Sequence, residues 1–344
     1  MKICTQWILE WLPWLENISS QELNRRMSIL GHTANISDGI LDFVPSENRN
    51  DLNSVVGIIR EISSAFGKTT EFPAAQVSEE DIGSIYEHAD ADVWSDSVCN
   101  RFTAKMSVVL ENGKTPRWMK ERLQAAGVLC VDTVQDVANY VFLEYGQPVL
   151  LLDARSIGFG TVTLREAMGY ETAEDTLLTY GMPVLESGEE IIAVPHYWVS
   201  NDAGLKPDTE DILIVAVNYP NNVLESCNQA FSQLDCAQDS LLTITAVERT
   251  AQLIQQLRYG HILDGSLDIL NYVPNPIKLD LKEVYPQVNF ISWDEFVTIL
   301  SLIGISEDGM IPSWRTDLHT PEAIRSEVSR LHRAITKTND IFSV

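Results

Sequence analysis

The stretch DILIVAVNYP, residues 211–220, constrains the fold more than any other, because Ile212 to Val217 is apolar at every position. A strand with one wet face alternates polar and apolar residues, whereas an unbroken apolar run suits a strand buried on both faces. The sheet that holds it therefore needs cover on both sides. Further strands are expected at 101–110 (RFTAKMSVVL), 161–165 and 190–195, with helices over 116–127 (PRWMKERLQAAG) and 241–258. Pro116 falls in the first turn of the former helix and Gly127 just past its end, which is where each residue is tolerated best.

The two ends of the chain have a different pattern. Residues 3–30 read as helix, turn, helix: Trp7, Ile8, Trp11 and Leu12 share a face before Pro13. Ser19-Ser20-Gln21-Glu22 then forms a cap ahead of Leu23, Met27 and Leu30, and Gly31 is the stop. A strand follows at 40–45, then an amphipathic helix from Asp51 to Ala65 with Val55, Ile58, Ile59 and Ile62 on one side. Residues 68–97 are polar and acidic and read as a linker or surface excursion, and Asn271 to Pro276 as a second linker. Beyond it lie strand IKLDL (277–281), helix 292–303, Gly304, a short strand at Met310-Ile311 and helix 321–335. No internal repeat is evident.

At 344 residues the chain is long for one core, and about two or three domains are expected. Its 45% apolar and 21% charged residues place it with globular proteins, and no apolar run nears the roughly 20 residues that span a bilayer. The N-terminus carries Gln6 and Glu10 through its apolar part, unlike a secretory signal, so a cytoplasmic protein is expected. The tryptophans within residues 7–14 read as core or partner interface. Five cysteines (Cys4, Cys99, Cys130, Cys227, Cys236) without a CxxC pair read as free thiols, not as zinc ligands or a disulfide framework. Forty-nine acidic against 24 basic residues give a net charge of −25, a field that repels polyanions. The best local basic cluster, Arg315, Arg325, Arg330, Arg333 and Lys337, is interleaved with acids, so direct nucleic-acid binding by the chain alone is not expected.

Within NYVFLEYGQPVLLLD (139–153), Gly146-Gln147-Pro148 forces a sharp turn, and Val149 to Leu152 after it hold no group that moves a proton or binds a metal. This segment resembles the GQP-Leu-His-Ala-Phe-Asp element in the editing domain of the bacterial phenylalanyl-tRNA synthetase β subunit. Three more segments are similar to that family in the same order: SENRNDLNSVVGIIREI (46–62); NRFTAKM with PRWMKERLQAAGV; and IPSWRTDL (311–318). The first retains Asn48, Arg49, Asp51, Ser54, Gly57, Ile58, Arg60 and Glu61. The resemblance implies an α+β fold: an N-terminal helical unit (1–75), an editing-type α/β domain with a mixed sheet (76–270) and a small C-terminal winged-helix-like α/β domain (271–344). It also implies a truncated paralogue, because the family's OB-fold, catalytic-like and anticodon-binding domains have no counterpart here.

The resemblance implies a degenerate editing pocket. The family's catalytic histidine corresponds to Leu150, the glutamate in its central strand to Val215, and its paired asparagines to Asp132 and Thr133. Its glycine-rich loop aligns with VPHYWVSN (194–201), which has no glycine and contributes His196, Tyr197 and Trp198. Hydrolysing an ester needs an oriented water and donors for the developing oxyanion, and Leu150 and Val215 supply neither. The family's Mg²⁺ carboxylates are half kept, with Asp317 and Glu327 present and Ala323 and Ser326 replacing the others, so no cofactor is expected unless a partner completes that site. His319 and His332 read as helix-end histidines, and Gly158-Phe159-Gly160 as a turn. The leading expectation is a non-catalytic binding or scaffold module without activity alone, its pocket filled or holding a small amino-acid-like ligand. Alternatives are an accessory subunit of a synthetase-like α chain, and a free-standing deacylase rebuilt on His196 with Asp202, Asp132 or Asn218.

Overall fold

The computed structural model describes residues 1–336 except 47, 48, 73, 79, 96, 112, 158, 159, 170, 175, 221, 222, 224–238, 273–276, 289 and 316, with backbone alone at 176 and 240. The chain divides into two compact units: Met1–Phe72 with Glu121–Val128 and Pro274–Val344, and Pro73–Lys120 with Leu129–Val273. No described helix is long and apolar enough to cross a membrane.

The first unit opens with a short strand, β1 (Lys2–Cys4), ahead of helix α1 (Thr5–Trp11). Helix α2 (Ser20–Leu30) begins as its sequence predicts: the Ser19 hydroxyl accepts from Glu22 N. It ends at Gly31, whose φ of 92° is open to glycine at no steric cost. Strands β2 (Thr33–Ser37) and β3 (Ile40–Val44) form a hairpin, with β1 on the far side of β3. Helix α3 (Val55–Ala65) is capped by Ser54 and turns Val55, Ile58, Ile59 and Ile62 into the core. Gly57 is needed on α3, because a Cβ there would stand 1.9 Å from the Asp51 carbonyl.

The second unit packs two sheets. One has the order β12-β11-β10-β7-β4 and is mixed, since β4 (Asp90–Val93) runs parallel to β7 (Thr161–Glu166). The others are antiparallel: β10 (Pro183–Ser187), β11 (Glu190–Val194) and β12 (Trp198–Val199). β4 corrects the linker reading of 68–97; only Ala91 and Val93 face inward there, too few apolar residues to mark a strand. The second sheet centres on β13 (Ile212–Asn218), between β5 (Arg101–Val108) and β6 (Leu150–Asp153). All seven residues of β13 are buried, as its sequence requires. Leu213, Val215 and Val217 join the core that β7, β10 and β11 also build. The alternate residues turn to helices that follow α4 (Arg117–Ala125): α5 (Gln135–Tyr145) and α6 (Ser240–Gln256). A small hairpin, β8 (Glu171–Ala173) with β9 (Thr176–Leu178), stands apart, and β14 (His261–Ile262) and β15 (Leu267–Leu270) both pair with β5.

The C-terminal residues rejoin the first unit and correct one expectation. IKLDL is no strand: Lys278 makes a single bridge to Met310, and Leu281 already begins helix α7 (Leu281–Val284). Some local devices recur at the two ends of the chain. Thr5 N bonds Gly39 O, and Leu279 N bonds Gly309 O. Ser19 caps α2, and Ser292 caps α8 (Trp293–Leu302). Arg49 and Asp51 precede Ser54-capped α3, and Arg315 and Asp317 precede α9 (Pro321–Thr336), where the Thr320 hydroxyl accepts from Ala323 N. The two halves share little beyond caps, turns and this Arg-x-Asp-Leu element, which is why periodicity alone misses them.

Candidate functional site

Helix α5 stops at Gly146, φ 77°, whose N–H reaches back to Phe142 O. Gln147, 1% exposed, is then held inside. Strand β6 pairs with β13 only as far as Leu150 opposite Val215. Past that point the Gln147 side-chain amide donates to Val217 O at 3.2 Å, extending the ladder by one bond where the backbone has turned away. Retention of the Gly-Gln-Pro frame is thus explained by structure, and the sequence signal for Gln147 was the motif itself.

Leu150 and Val215 face each other across that last register pair, and Ala104 of β5 lies on Val215's other side. Val215 is 0% exposed, and Leu150 is half-buried against the same core. Hydrocarbon meets hydrocarbon here. Such a cross-strand pair adds roughly 0.2–1 kcal/mol to the sheet and contributes nothing to proton transfer.

His196 closes the same end of β13. It adopts φ 73°, rare for a side chain with a Cβ, and its Nε2 lies 3.4 Å from Val217 O. Its ring stands edge-on to Tyr219 at 5.8 Å, and the Tyr219 hydroxyl donates to Pro195 O. Tyr197 is exposed, and Trp198 rests half-buried on the core. The structure therefore gathers Leu150, Val215 and His196 around the end of β13.

The polar residues are engaged elsewhere. Asp132 pairs with Lys120 at 2.5 Å, Asp202 with Lys206 at 3.5 Å, and Asn218 accepts from the Asn100 amide. The Thr133 hydroxyl accepts from Gln135 N. Sequence reading missed Asp136, which is fully buried and accepts from the Thr115 hydroxyl, the Cys130 thiol and the N–H groups of Val131 and Asp132. Cys130, Asp132 and Asp136 lie close enough to suggest a metal group. Every ligating oxygen of Asp136 already accepts from a donor, and burial together with the bond to Asp136 pushes the Cys130 thiol up, away from the thiolate a metal needs. Cys4, Cys99 and Cys130 are free thiols, and Cys227 and Cys236 lie outside the described residues, as do Gly158 and Phe159.

Burial holds the His196 ring down to about 4, offset only in part by Val217 O. Unfolded, the ring protonates near its ordinary value of about 6.5. The unfolded chain thus binds the proton first, so this contribution is whole above about pH 6.5 and drains away toward pH 4, at up to about 1.4 kcal/mol per pH unit. His196→Asn, which tolerates left-handed backbone, is expected to narrow the stability gap between about pH 7 and pH 4.5 by roughly 1–3 kcal/mol. Urea melts at the two values check this, and an unchanged gap refutes it.

Asp317 and Glu327 belong to a buried ion-pair cluster in the first unit. Arg315, 1% exposed, grips Asp317 with two bonds of 2.8 Å and reaches Glu327 at 2.9 Å. Arg49 repeats the arrangement on Asp51 and Glu61, and its NH1 lies 3.6 Å from Glu327. Arg330 takes the other Glu327 oxygen at 2.7 Å. His32 completes the set. Its Nδ1 accepts from Ser46 N, so Nε2 carries the proton that it donates to Glu61. Burial alone would raise the Asp317 carboxyl, but Arg315 outweighs it and holds the group below its ordinary range. These carboxylates do not fit Mg²⁺, which needs free oxygens in near-octahedral array where guanidinium N–H groups stand. The basic cluster foreseen at the C-terminus is likewise no open patch, since Arg315 is internal and Arg330 is paired; Lys337 lies outside the described residues.

A two-sheet α/β domain whose central apolar strand meets a Gly-Gln-Pro turn defines a class, and residues 98–258 match the model of the B3/4 domain. Along most of its length the chain is also similar to the β subunit of phenylalanine–tRNA ligase. It is 26% identical over 323 residues to that subunit from Geobacter metallireducens, covering 86% of this chain and 40% of the relative. It is 26% identical over 332 residues to the subunit from Syntrophus aciditrophicus, covering 88% and 41%. The chain therefore spans about two fifths of the curated relatives it matches. An N-terminal fragment of the phenylalanyl-tRNA synthetase β subunit from Pyrococcus horikoshii shares the fold, with a TM-score of 0.50 at 13% identity over 96% of this chain and 99% of that one.

Proposed function

We propose that this protein is a non-catalytic scaffold or binding module of the phenylalanine–tRNA ligase β-subunit kind, with its editing-type pocket closed by hydrocarbon. The observation that supports this reading most is the Leu150–Val215 pair, which stands where the family resemblance places a histidine and a glutamate. His196 offers no replacement site, because its ring contacts a backbone carbonyl and each of Asp132, Asp202 and Asn218 has another partner. A general base needs a proton to take and an acid to orient it.

The expected result with tRNA mischarged with tyrosine is hydrolysis at the uncatalysed rate, unchanged by His196→Ala. Phenylalanine, tyrosine and their aminoacyl analogues are expected to leave the melting temperature where it is. A rise of more than about 2 °C, roughly the scale of a binding event worth half a kcal/mol or more, would mean an open pocket. The relatives are by name subunits, so the scaffold reading extends to pairing with a synthetase-like α chain. Copurification with such a chain tests this second reading, which rests on kinship alone, because Arg315 and Asp317 of the matching IPSWRTDL segment are consumed by internal ion pairs.

A further inference from the structure

We propose that β4 is a self-blocked sheet edge that keeps a second copy of this chain from adding a strand to it. β4 is the terminal strand of its sheet. Its parallel register turns the N–H groups of Asp90 and Trp94 toward β7, where they bond Gly160 O and Leu164 O. By alternation the N–H groups of Ala91 and Val93 point away from β7, into the space where another strand would pair. Both are taken. Ala91 N donates to Asp90 Oδ1 and Val93 N to Asp92 Oδ1, each at 2.8 Å.

The arrangement follows from the alternation Asp-Ala-Asp-Val. Ala91 and Val93 pack on the core, which leaves Asp90 and Asp92 on the wet face, one residue before each outward N–H. A carboxylate there satisfies the donor that strand addition uses and sets two like charges against a second copy. The need for a guard is plain from what adjoins it: Trp94, 61% exposed, ends the strand and offers the apolar contact that strengthens edge-to-edge pairing. The acidic stretch that reads as mere linker in the sequence thus closes an interaction surface.

The test compares wild type with D90A/D92A, which removes acceptor and charge, and D90N/D92N, which keeps an acceptor oxygen without charge. Sedimentation velocity over a concentration series is expected to show about a tenfold or greater rise in self-association for the alanine pair, with the asparagine pair near wild type. In wild type, hydrogen exchange is expected to slow the amides of Ala91 and Val93 about tenfold relative to unstructured residues, a protection the alanine pair loses. The exchange measurement stands even if a variant folds poorly. Free exchange of those two amides in wild type overturns the proposal. So does a folded alanine pair that associates no more than wild type, or an asparagine pair that associates as strongly as the alanine pair.

Discussion

Glu327→Ala is expected to cost the first unit about 3–5 kcal/mol, the range found when one partner of a buried ion pair is removed. The alanine leaves Arg315 with Asp317, Arg330 loses an acceptor and Arg49 a carboxylate 3.6 Å away, while the guanidinium of Arg315 stays wholly buried. An uncompensated buried charge is what makes such changes severe. Glu327→Gln, which keeps one acceptor and the shape, should fall between. Urea denaturation measures both, and a loss under about 1 kcal/mol for the alanine would show the cluster to be wetter than its burial implies. The same cluster sets the acid response. Burial works to raise the Glu61 carboxyl, but Arg49 and His32 prevail and hold it far below its usual range. With Glu61 and Asp317 both depressed, their stabilisation is complete above the unfolded value of about 4 and is lost as pH falls below it.

Val215→Glu is expected to destabilise the second unit by more than about 4 kcal/mol, because the carboxylate would enter a site with Ala104 on one side and Leu150 on the other and no donor to meet it. Pairing it with Leu150→His restores the family's residue types on the right strands, yet the expected outcome is a weakened fold and no hydrolysis of mischarged tRNA. Oxyanion donors and an oriented water are missing from the surroundings, and two side chains do not supply them. A well-folded double variant that hydrolyses above the uncatalysed rate would refute the closed pocket and the scaffold reading with it.

Much of the second unit was legible in the residues. The unbroken run of β13 required a central strand with cover on both faces, and it has the β12-β11-β10-β7-β4 sheet on one side and α6 on the other. Ser19 and Gly31 marked their helix ends by local chemistry, which needs no tertiary context, whereas Gly146 was legible as a turn and not as the end of α5. β4 was illegible for the opposite reason. Two small apolar residues between aspartates carry almost no periodic signal, and only β7 beside them makes the segment a strand.

The charged motifs were misread in kind. Arg315, Asp317 and Glu327 look solvated or metal-binding in a one-dimensional reading, because such residues are almost never buried without partners. Each arginine finds its carboxylates within about a dozen residues, Arg49 just before α3 and Arg315 just before α9, and only the fold brings Arg49 to Glu327 as well. What the sequence by itself determined were the caps, the turns, the central strand and the apolar character of Leu150 and Val215, all of them properties of neighbouring residues or of residue type. Which carboxylates face guanidinium instead of water was decided by tertiary structure, since the pairs lie within about a dozen residues in sequence but their burial, and the Arg49–Glu327 contact, need the two ends of the chain brought together.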